Sequence, residues 1–220
     1  MTEVPELLLI DKPYGITSFD VIRRLRRKLN IKKMGHAGTL DPLATGLMII
    51  GVGAGTKKLT ELVKLDKEYV AEVRIGESRT TGDLEGEVVE SKKVEGLKSE
   101  TVVITLGAMV GILELPVSAY SAIKVDGVPM YKRARKAEKI GEVIADVPLR
   151  AMRVDEVELL SFEMDGDRAV GTIRFVVGSG TYIRSLAEEL GRRLGYPATL
   201  QNLRRTKVGE FDIKDAQTLD

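Results

Sequence analysis

Two periodicities organise the chain. Tyr69, Ala71, Val73 and Ile75 alternate with Val70, Glu72 and Arg74, the period of a strand that buries one face. Leu7–Ile10 and Leu47–Val52 are short apolar runs; the first predicts a buried strand ended by a turn at Asp11–Gly15, the second a central strand. Helical spacing appears twice. Val21, Ile22, Leu25 and Leu29 fall on one face and the arginines on the other, behind a T-x-x-D capping box of Thr17 and Asp20. Ile183, Leu186, Ala187, Leu190 and Leu194 mark the second helix. Its lead-in, Gly178-Ser179-Gly180-Thr181, sets amides and a hydroxyl at a helix N-terminus, which suits an anion or, more simply, a cap by Thr181.

The remaining segments are weaker. Met34–Gly46 reads as a glycine-rich loop, and Ser78–Gly86 as an exposed loop leading to a strand near Glu87–Glu90. Val102–Val110 reads as a short helix, Pro116–Tyr120 as extended chain, and Met130–Ile140 as a helix with a basic face. Strands near Val154–Phe162 and Ala169–Val177 are separated by a turn at Glu163–Asp167. No repeat, low-complexity tract or linker interrupts the chain. Strands and helices are interspersed without strict βαβ alternation, so an α+β fold or a mixed sheet is expected.

At 220 residues and 43% apolar content, the chain can close a sizeable core as one domain, or as a domain with a small appendage. Cysteine is absent and His36 is the one histidine, which excludes a disulfide framework, a thiolate zinc site and a metal site built on a histidine pair. The apolar runs are far too short to cross a bilayer and no basic-then-apolar leader opens the chain, so a cytoplasmic protein is expected. A nucleophile, if one is used, must be a hydroxyl, an amine or a carboxylate.

The formal charge of +1 conceals a segregated pattern. Val21–Gly35 carries seven basic residues and no acid, Leu190–Gly209 five and no acid, and Asp155–Asp167 six acids and no base. Such segregation gives a neutral protein a basic face for phosphates, or equally a set of solvated helix faces.

The most unusual segment is Gly35–Gly46, G-H-A-G-T-L-D-P-L-A-T-G. Its three glycines permit positive φ and close approach of a ligand. Pro42 biases Asp41 toward extended backbone, and the following strand anchors the loop. Taken alone, an Asp-Pro between glycines is also an ordinary turn. Gly51, Gly53 and Gly55 give G-x-G-x-G, with Thr56 where the dinucleotide fingerprint needs glycine. No Walker A element precedes Lys57, G-x-S-x-G is absent, and the serine-triad and zinc-deaminase constellations lack their parts. What is left is aspartate-centred chemistry, helped by arginine, tyrosine and His36.

Lys12-Pro13-Tyr14-Gly15-Ile16-Thr17-Ser18 followed by Gly35–Gly46 resembles the signature of the TruB family of pseudouridine synthases. Four further segments resemble the family in order: Asp66-Lys67-Glu68-Tyr69, Tyr120-Ser121-Ala122-Ile123-Lys124, Gly180-Thr181-Tyr182-Ile183-Arg184-Ser185-Leu186 and Leu203-Arg204-Arg205-Thr206. The resemblance implies the pseudouridine synthase fold: a mixed, largely antiparallel central sheet with flanking helices and a central RNA-binding cleft. It implies conversion of the T-loop uridine of transfer RNA, position 55, to pseudouridine, with no cofactor and no metal.

The resemblance also implies roles. Asp41 matches the aspartate required for catalysis. Tyr69 matches a tyrosine that stacks on the flipped base. Tyr182 and Arg184 match a pair lining the pocket, with the arginine in an ion pair with the aspartate. His36 matches a histidine that helps displace T-loop nucleotides, and Leu203 and Arg204 lie where the family closes its pocket and approaches the RNA. One catalytic domain over residues 1–220 is implied; as a departure from bacterial relatives, which commonly carry a C-terminal PUA-type RNA-binding domain, that domain is expected to be absent here. The partner would be transfer RNA, with no membrane, no obligatory protein partner and a monomeric state.

The residues themselves are compatible with these roles. Turning uridine into its C-glycoside detaches the base and reattaches it through C5, which needs no electron or group transfer. An ionised Asp41 could attack C1′, add to C6 or remove a proton at C2′, and the residues alone do not choose among these. Tyr69 and Tyr182 offer aromatic faces worth ~1–3 kcal/mol each to a stacked base, and a paired Arg184 would favour the charged carboxylate and fix its direction. The competing reading is a non-catalytic RNA-binding or RNA-folding module on the same scaffold. Against it, a carboxylate beside phosphates costs affinity unless it has a task. A dinucleotide enzyme fails on the glycine spacing.

Overall fold

The computed structural model of the protein describes residues 4–121, 123–139, 144 and 147–219. Ala122 of the Tyr120–Lys124 segment and Ile140, the expected end of a helix, lie outside the described residues. In chain order the first elements are β1 (Leu7–Lys12), α1 (Ser18–Leu29), β2 (Met34–His36), β3 (Thr45–Val52), α2 (Leu59–Leu62), β4 (Lys67–Ile75), β5 (Glu77–Arg79) and β6 (Val88–Ser91). Next come α3 (Ser99–Gly107), β7 (Gly111–Pro116), β8 (Lys124–Val125), β9 (Val128–Pro129) and α4 (Met130–Glu138). The chain closes with β10 (Leu149–Asp165), β11 (Arg168–Val177), α5 (Ile183–Leu194), β12 (Ala198–Val208), β13 (Phe211–Asp212) and β14 (Gln217–Thr218). The class is α+β with a mixed sheet, as the interspersed pattern predicts.

The chain divides into two compact units, one of Met1–Ala71, Arg174–Gly180 and Asn202–Asp220, the other of Glu72–Ile173 and Thr181–Gln201. Strands β4, β11 and β12 contribute residues to both.

In the first unit the strand order is β14-β1-β3-β12-β4-β11, with β2 on β3 and β13 on β12. Strand β1 runs antiparallel to β3 and parallel to β14, while β12 runs parallel to β3. The apolar run of β3 explains its central place, since Gly46–Val52 is buried throughout. Leu47, Ile49, Ala37 and Val208 form a core covered by Leu59, Leu62 and Leu65. Helix α1 buries Val21, Ile22 and Leu25 and begins with both halves of the capping box, Asp20 N donating to Thr17 Oγ1 and Thr17 N to Asp20 Oδ2.

Two details depart from the sequence pattern. Strand β1 continues through Asp11 and Lys12, where a turn is expected, because these residues still pair with Leu47 and Gly46 of β3. The glycine-rich segment opens as strand β2, pairing Met34 with Val52 and His36 with Ile50.

In the second unit the order is β12-β4-β11-β10-β7. Strand β10 is 17 residues long and pairs antiparallel with β7 from Leu149↔Pro116 to Val154↔Gly111. The expected five-residue turn after it shrinks to two residues, Gly166 taking φ 61°. Pro116 ends β7 rather than starting an extended segment. Helix α5 buries Ile183, Leu186, Ala187 and Leu190, as its periodicity predicts, but its cap differs. Tyr182 occupies the N-cap without a side-chain bond, and Thr181 Oγ1 donates instead to the Arg153 carbonyl at 3.3 Å. Among the described residues no helix is long and apolar enough to cross a membrane.

Candidate active site

Asp41 sits on a segment whose neighbours are pinned on both sides. Before it, Leu40 is buried and its backbone is held in both directions by Ser18, whose Oγ accepts from Leu40 N at 2.8 Å and donates to Leu40 O at 2.9 Å. After it, the Pro42 carbonyl accepts from Gly15 N at 2.9 Å and from Lys12 Nζ at 3.3 Å. Lys12 is fully buried, and its ammonium also donates to the carbonyls of Pro13 and Ile16. A buried cation requires such partners. The Asp41 carbonyl accepts from Ala44 N at 3.1 Å, closing a tight turn, while Asp41 itself stays partly exposed. A partly exposed aspartate on a backbone fixed from α1, β1 and the Pro13–Gly15 turn can act on a bound molecule with little further ordering.

Arg205, on β12, fastens the same segment from beneath. It is 1% exposed, with Nε donating to Leu47 O at 2.7 Å and Nη2 to Gly38 O at 3.2 Å. Gly46 is required where β3 meets it: φ is +106°, and a Cβ there would lie 2.3 Å from the Arg205 carbonyl oxygen. Arg205 also sets the local field. Burial, then repulsion by Arg205, lowers the Lys67 pKa to about 8 against the attraction of Asp66, while Lys67 Nζ donates to the carbonyls of Val63 and Leu65. His36, at the end of β2, is half-buried; burial and then Arg205 lower its pKa, outweighing a backbone interaction at Gly38. Its Nδ1 is buried without a hydrogen-bond partner, so the imidazole is held neutral near pH 7.

Tyr69 lies on the buried face of β4, 8% exposed. Leu203 is buried on β12 and its carbonyl accepts from Thr45 Oγ1 at 3.4 Å, just above Asp41 in sequence. Arg204 turns the other way into a paired geometry with Asp11, Nη1 to Oδ1 at 3.2 Å and Nη2 to Oδ2 at 2.7 Å. These residues, with His36 and Asp41, belong to the first unit.

Tyr182 and Arg184 belong to the second. Arg184 is 6% exposed; its Nη1 donates to Thr81 O at 2.9 Å and lies 3.7 Å from Asp83 Oδ2. Asp83 is itself buried, and its Oδ1 accepts from Thr81 Oγ1 at 2.5 Å and Glu85 N at 3.1 Å. The Ser78–Gly86 segment is therefore not the exposed loop expected from its composition. Asp83 is the residue sequence reasoning misses, and its signal is the T-T-G-D run, whose turn can place a short acidic side chain inward. Among the described residues no group of three or more histidine, aspartate or glutamate side chains could hold a metal ion.

Comparison with known proteins bears on the family and the fold. Residues 26–183 match the model of the TruB family pseudouridylate synthase N-terminal domain, and residues 184–220 that of the tRNA pseudouridylate synthase B C-terminal domain. The chain is 45% identical over 216 residues to tRNA pseudouridine synthase B of Leifsonia xyli subsp. xyli, covering 97% of this chain and 70% of the relative. It is 43% identical over 218 residues to that of Opitutus terrae, covering 99% and 87%. Among solved structures, a Cbf5-Nop10-Gar1 complex matches with TM-score 0.70 at 25% identity, covering 97% of this chain and 52% of the solved one. An H/ACA RNP bound to a substrate RNA containing 2′-deoxyuridine matches with TM-score 0.68 at 26% identity; this chain spans 50% of that one.

Proposed function

The chain belongs to the TruB family of pseudouridylate synthases, and we propose that residues 1–220 act as one catalytic domain, an isomerase that converts the T-loop uridine of transfer RNA, position 55, to pseudouridine. The observation that carries this reading is the Asp41 segment. Its backbone is clamped at Leu40 and Pro42 while Asp41 stays partly exposed.

The reaction conserves every atom of the base. The N1–C1′ bond breaks, the base turns, C5 bonds to C1′, the C5 proton leaves to water and N1 regains a proton. A uridine inside a folded loop must first leave its stack, at a cost of a few kcal/mol. Contacts to the extruded base offset that cost. Tyr69 is assigned the aromatic face against the base, Tyr182 and Arg184 a part in lining the pocket, and Leu203 an apolar closure. His36, neutral and compact, is assigned to the displaced T-loop nucleotides, and Arg204 to the RNA backbone. Asp41 would act as an ionised group on C1′, C6 or the C2′ proton, three routes that share one requirement: a carboxylate that does not move away.

Release of tritium from transfer RNA labelled at uridine C5 tests this directly, because only bond formation at C5 expels that label. Wild-type protein should release it from a transcript with the T-loop uridine and not from one carrying cytidine at that position. Salt-sensitive binding with no release would replace the synthase by an RNA-binding module.

A further inference from the structure

Helix α1 carries more cationic surface than its own ion pairs use. Its apolar side, Val21, Ile22 and Leu25, is consumed by the core. On the opposite side Asp20, Arg23, Arg24 and Arg27 line a shallow hollow of about 290 Å³. Arg23 pairs with Asp20, whereas no carboxylate pairs with exposed Arg24 or Arg27 among the described residues. Arg24 also lines a second hollow of about 250 Å³, beside Arg204, Thr45 and Thr218, so the two hollows meet at one side chain. The unpaired cationic strip thus runs from Arg27 to Arg24 and ends beside the Arg204–Asp11 ion pair.

The strip is geometrically tied to Asp41. Ser18, the first residue of α1, holds Leu40 through both its amide and its carbonyl. Arg24 and Arg27 lie about one and a half to two and a half turns along the same helix, ~9–14 Å from Ser18 along the axis at 1.5 Å per residue. Whatever these arginines hold is therefore held at a fixed offset from the carboxylate. Two exposed guanidiniums one turn apart, with no carboxylate partner among the described residues, suit successive phosphates of one strand. A lipid surface is a poorer fit, since Phe19 is the one strongly exposed large apolar residue of α1, too little to insert as a face.

Resting on the synthase reading above, we infer that the Arg24–Arg27 face of α1 is a phosphate clamp for the RNA stem that carries the target loop, and that it sets the register of the loop against Asp41. The clamp adds a specified contact surface outside the site that handles the base.

Binding of the full chain to a fluorescent T-arm stem-loop, titrated with salt, tests it without requiring turnover. Each phosphate contact contributes about 0.9 to the slope of log K against log salt, by the duplex DNA value. The Arg24→Ala/Arg27→Ala variant should therefore lose about 1.8 from that slope, and its affinity should fall roughly tenfold less than wild type between 50 and 200 mM salt. An RNA reduced to the loop alone should show no such difference between the two proteins, and Arg24→Lys/Arg27→Lys should keep most of the slope. Lys57→Ala, an exposed lysine outside the face, should leave it unchanged. An unaltered slope for the double alanine variant on the stem-loop overturns the clamp, as does an equal loss on the loop alone. Loss of binding to anionic phosphatidylserine vesicles with RNA binding intact would also overturn it, giving the face to a membrane. If wild type binds the stem-loop with the expected slope, the double alanine variant loses it and neither releases tritium, the synthase reading fails, the register role is overturned with it, and only the phosphate contact stands.

Discussion

Ser18→Ala removes one hydroxyl and unties the residue before Asp41. Ser18 and Leu40 are each 3% exposed, so water cannot readily replace the lost group. The Leu40 amide and carbonyl, now bonded at 2.8 and 2.9 Å, both lose their partner. A buried backbone group left unsatisfied costs ~1–3 kcal/mol, and two such groups with some local relaxation give an expected destabilisation of ~2–4 kcal/mol. A domain with about 5–15 kcal/mol of stability remains folded after that loss. The loop, however, no longer holds its carboxylate in one place, and a displacement of about 1 Å costs on the order of 100-fold in rate. Urea unfolding should show a lower midpoint with an unchanged slope, and tritium release at saturating RNA should fall about 10- to 100-fold. Thr17→Ala provides the contrast, because it removes the helix cap and leaves the clamp; it should cost ~1 kcal/mol in stability and spare most of the turnover. A Ser18→Ala protein within ~0.5 kcal/mol of wild type, the range of an ordinary surface change, and with undiminished turnover would refute the idea that α1 holds the loop.

Asp83 and Arg184 should behave as a coupled buried pair. Removing one partner of such a pair costs about 3–5 kcal/mol, and a double-mutant cycle with Asp83→Asn and Arg184→Met should return a coupling above ~1 kcal/mol, whereas additive effects would mean the 3.7 Å approach contributes nothing. His36 is the one histidine, so proton NMR reads its titration without ambiguity, and the midpoint should fall below 6.5 because burial and Arg205 disfavour the charged ring. With the folded pKa depressed, its contribution to stability is complete above 6.5 and is lost as pH falls through the folded value; a midpoint at or above 6.5 would contradict the buried neutral imidazole.

Legibility in the sequence followed range. The capping box, the buried face of α1 and the alternation of β4 are written within a few residues of each other, and the structure has each of them. Strand β2 was harder to read, since three residues of M-G-H become a strand only because β3, a buried strand remote from them in pattern, offers an edge at Ile50–Val52. Thr181 had the composition of a cap, but its hydroxyl found the Arg153 carbonyl 28 residues away. The same applies to charge. Arg184 and Asp83 lie 101 positions apart, and no local pattern tells which acid a buried arginine will face. The loop at Gly35–Gly46 stood out by its glycines and Asp-Pro step, whereas the clamps that stiffen it, from Ser18, Lys12 and Arg205, come from three other places in the chain.

One carboxylate held ready on a fixed loop is the centre of the proposed reaction, and Asp41→Asn isolates it, since the amide keeps the size and takes away the charge. The measurement is tritium release from C5-labelled transfer RNA in excess protein, beside the dissociation constant for the same RNA. Asp41→Asn should bind within a few-fold of wild type and release no tritium above background, the pattern of a group needed for the reaction and not for binding. Turnover by Asp41→Asn above a few per cent of wild type would contradict the assignment of Asp41 to the chemistry.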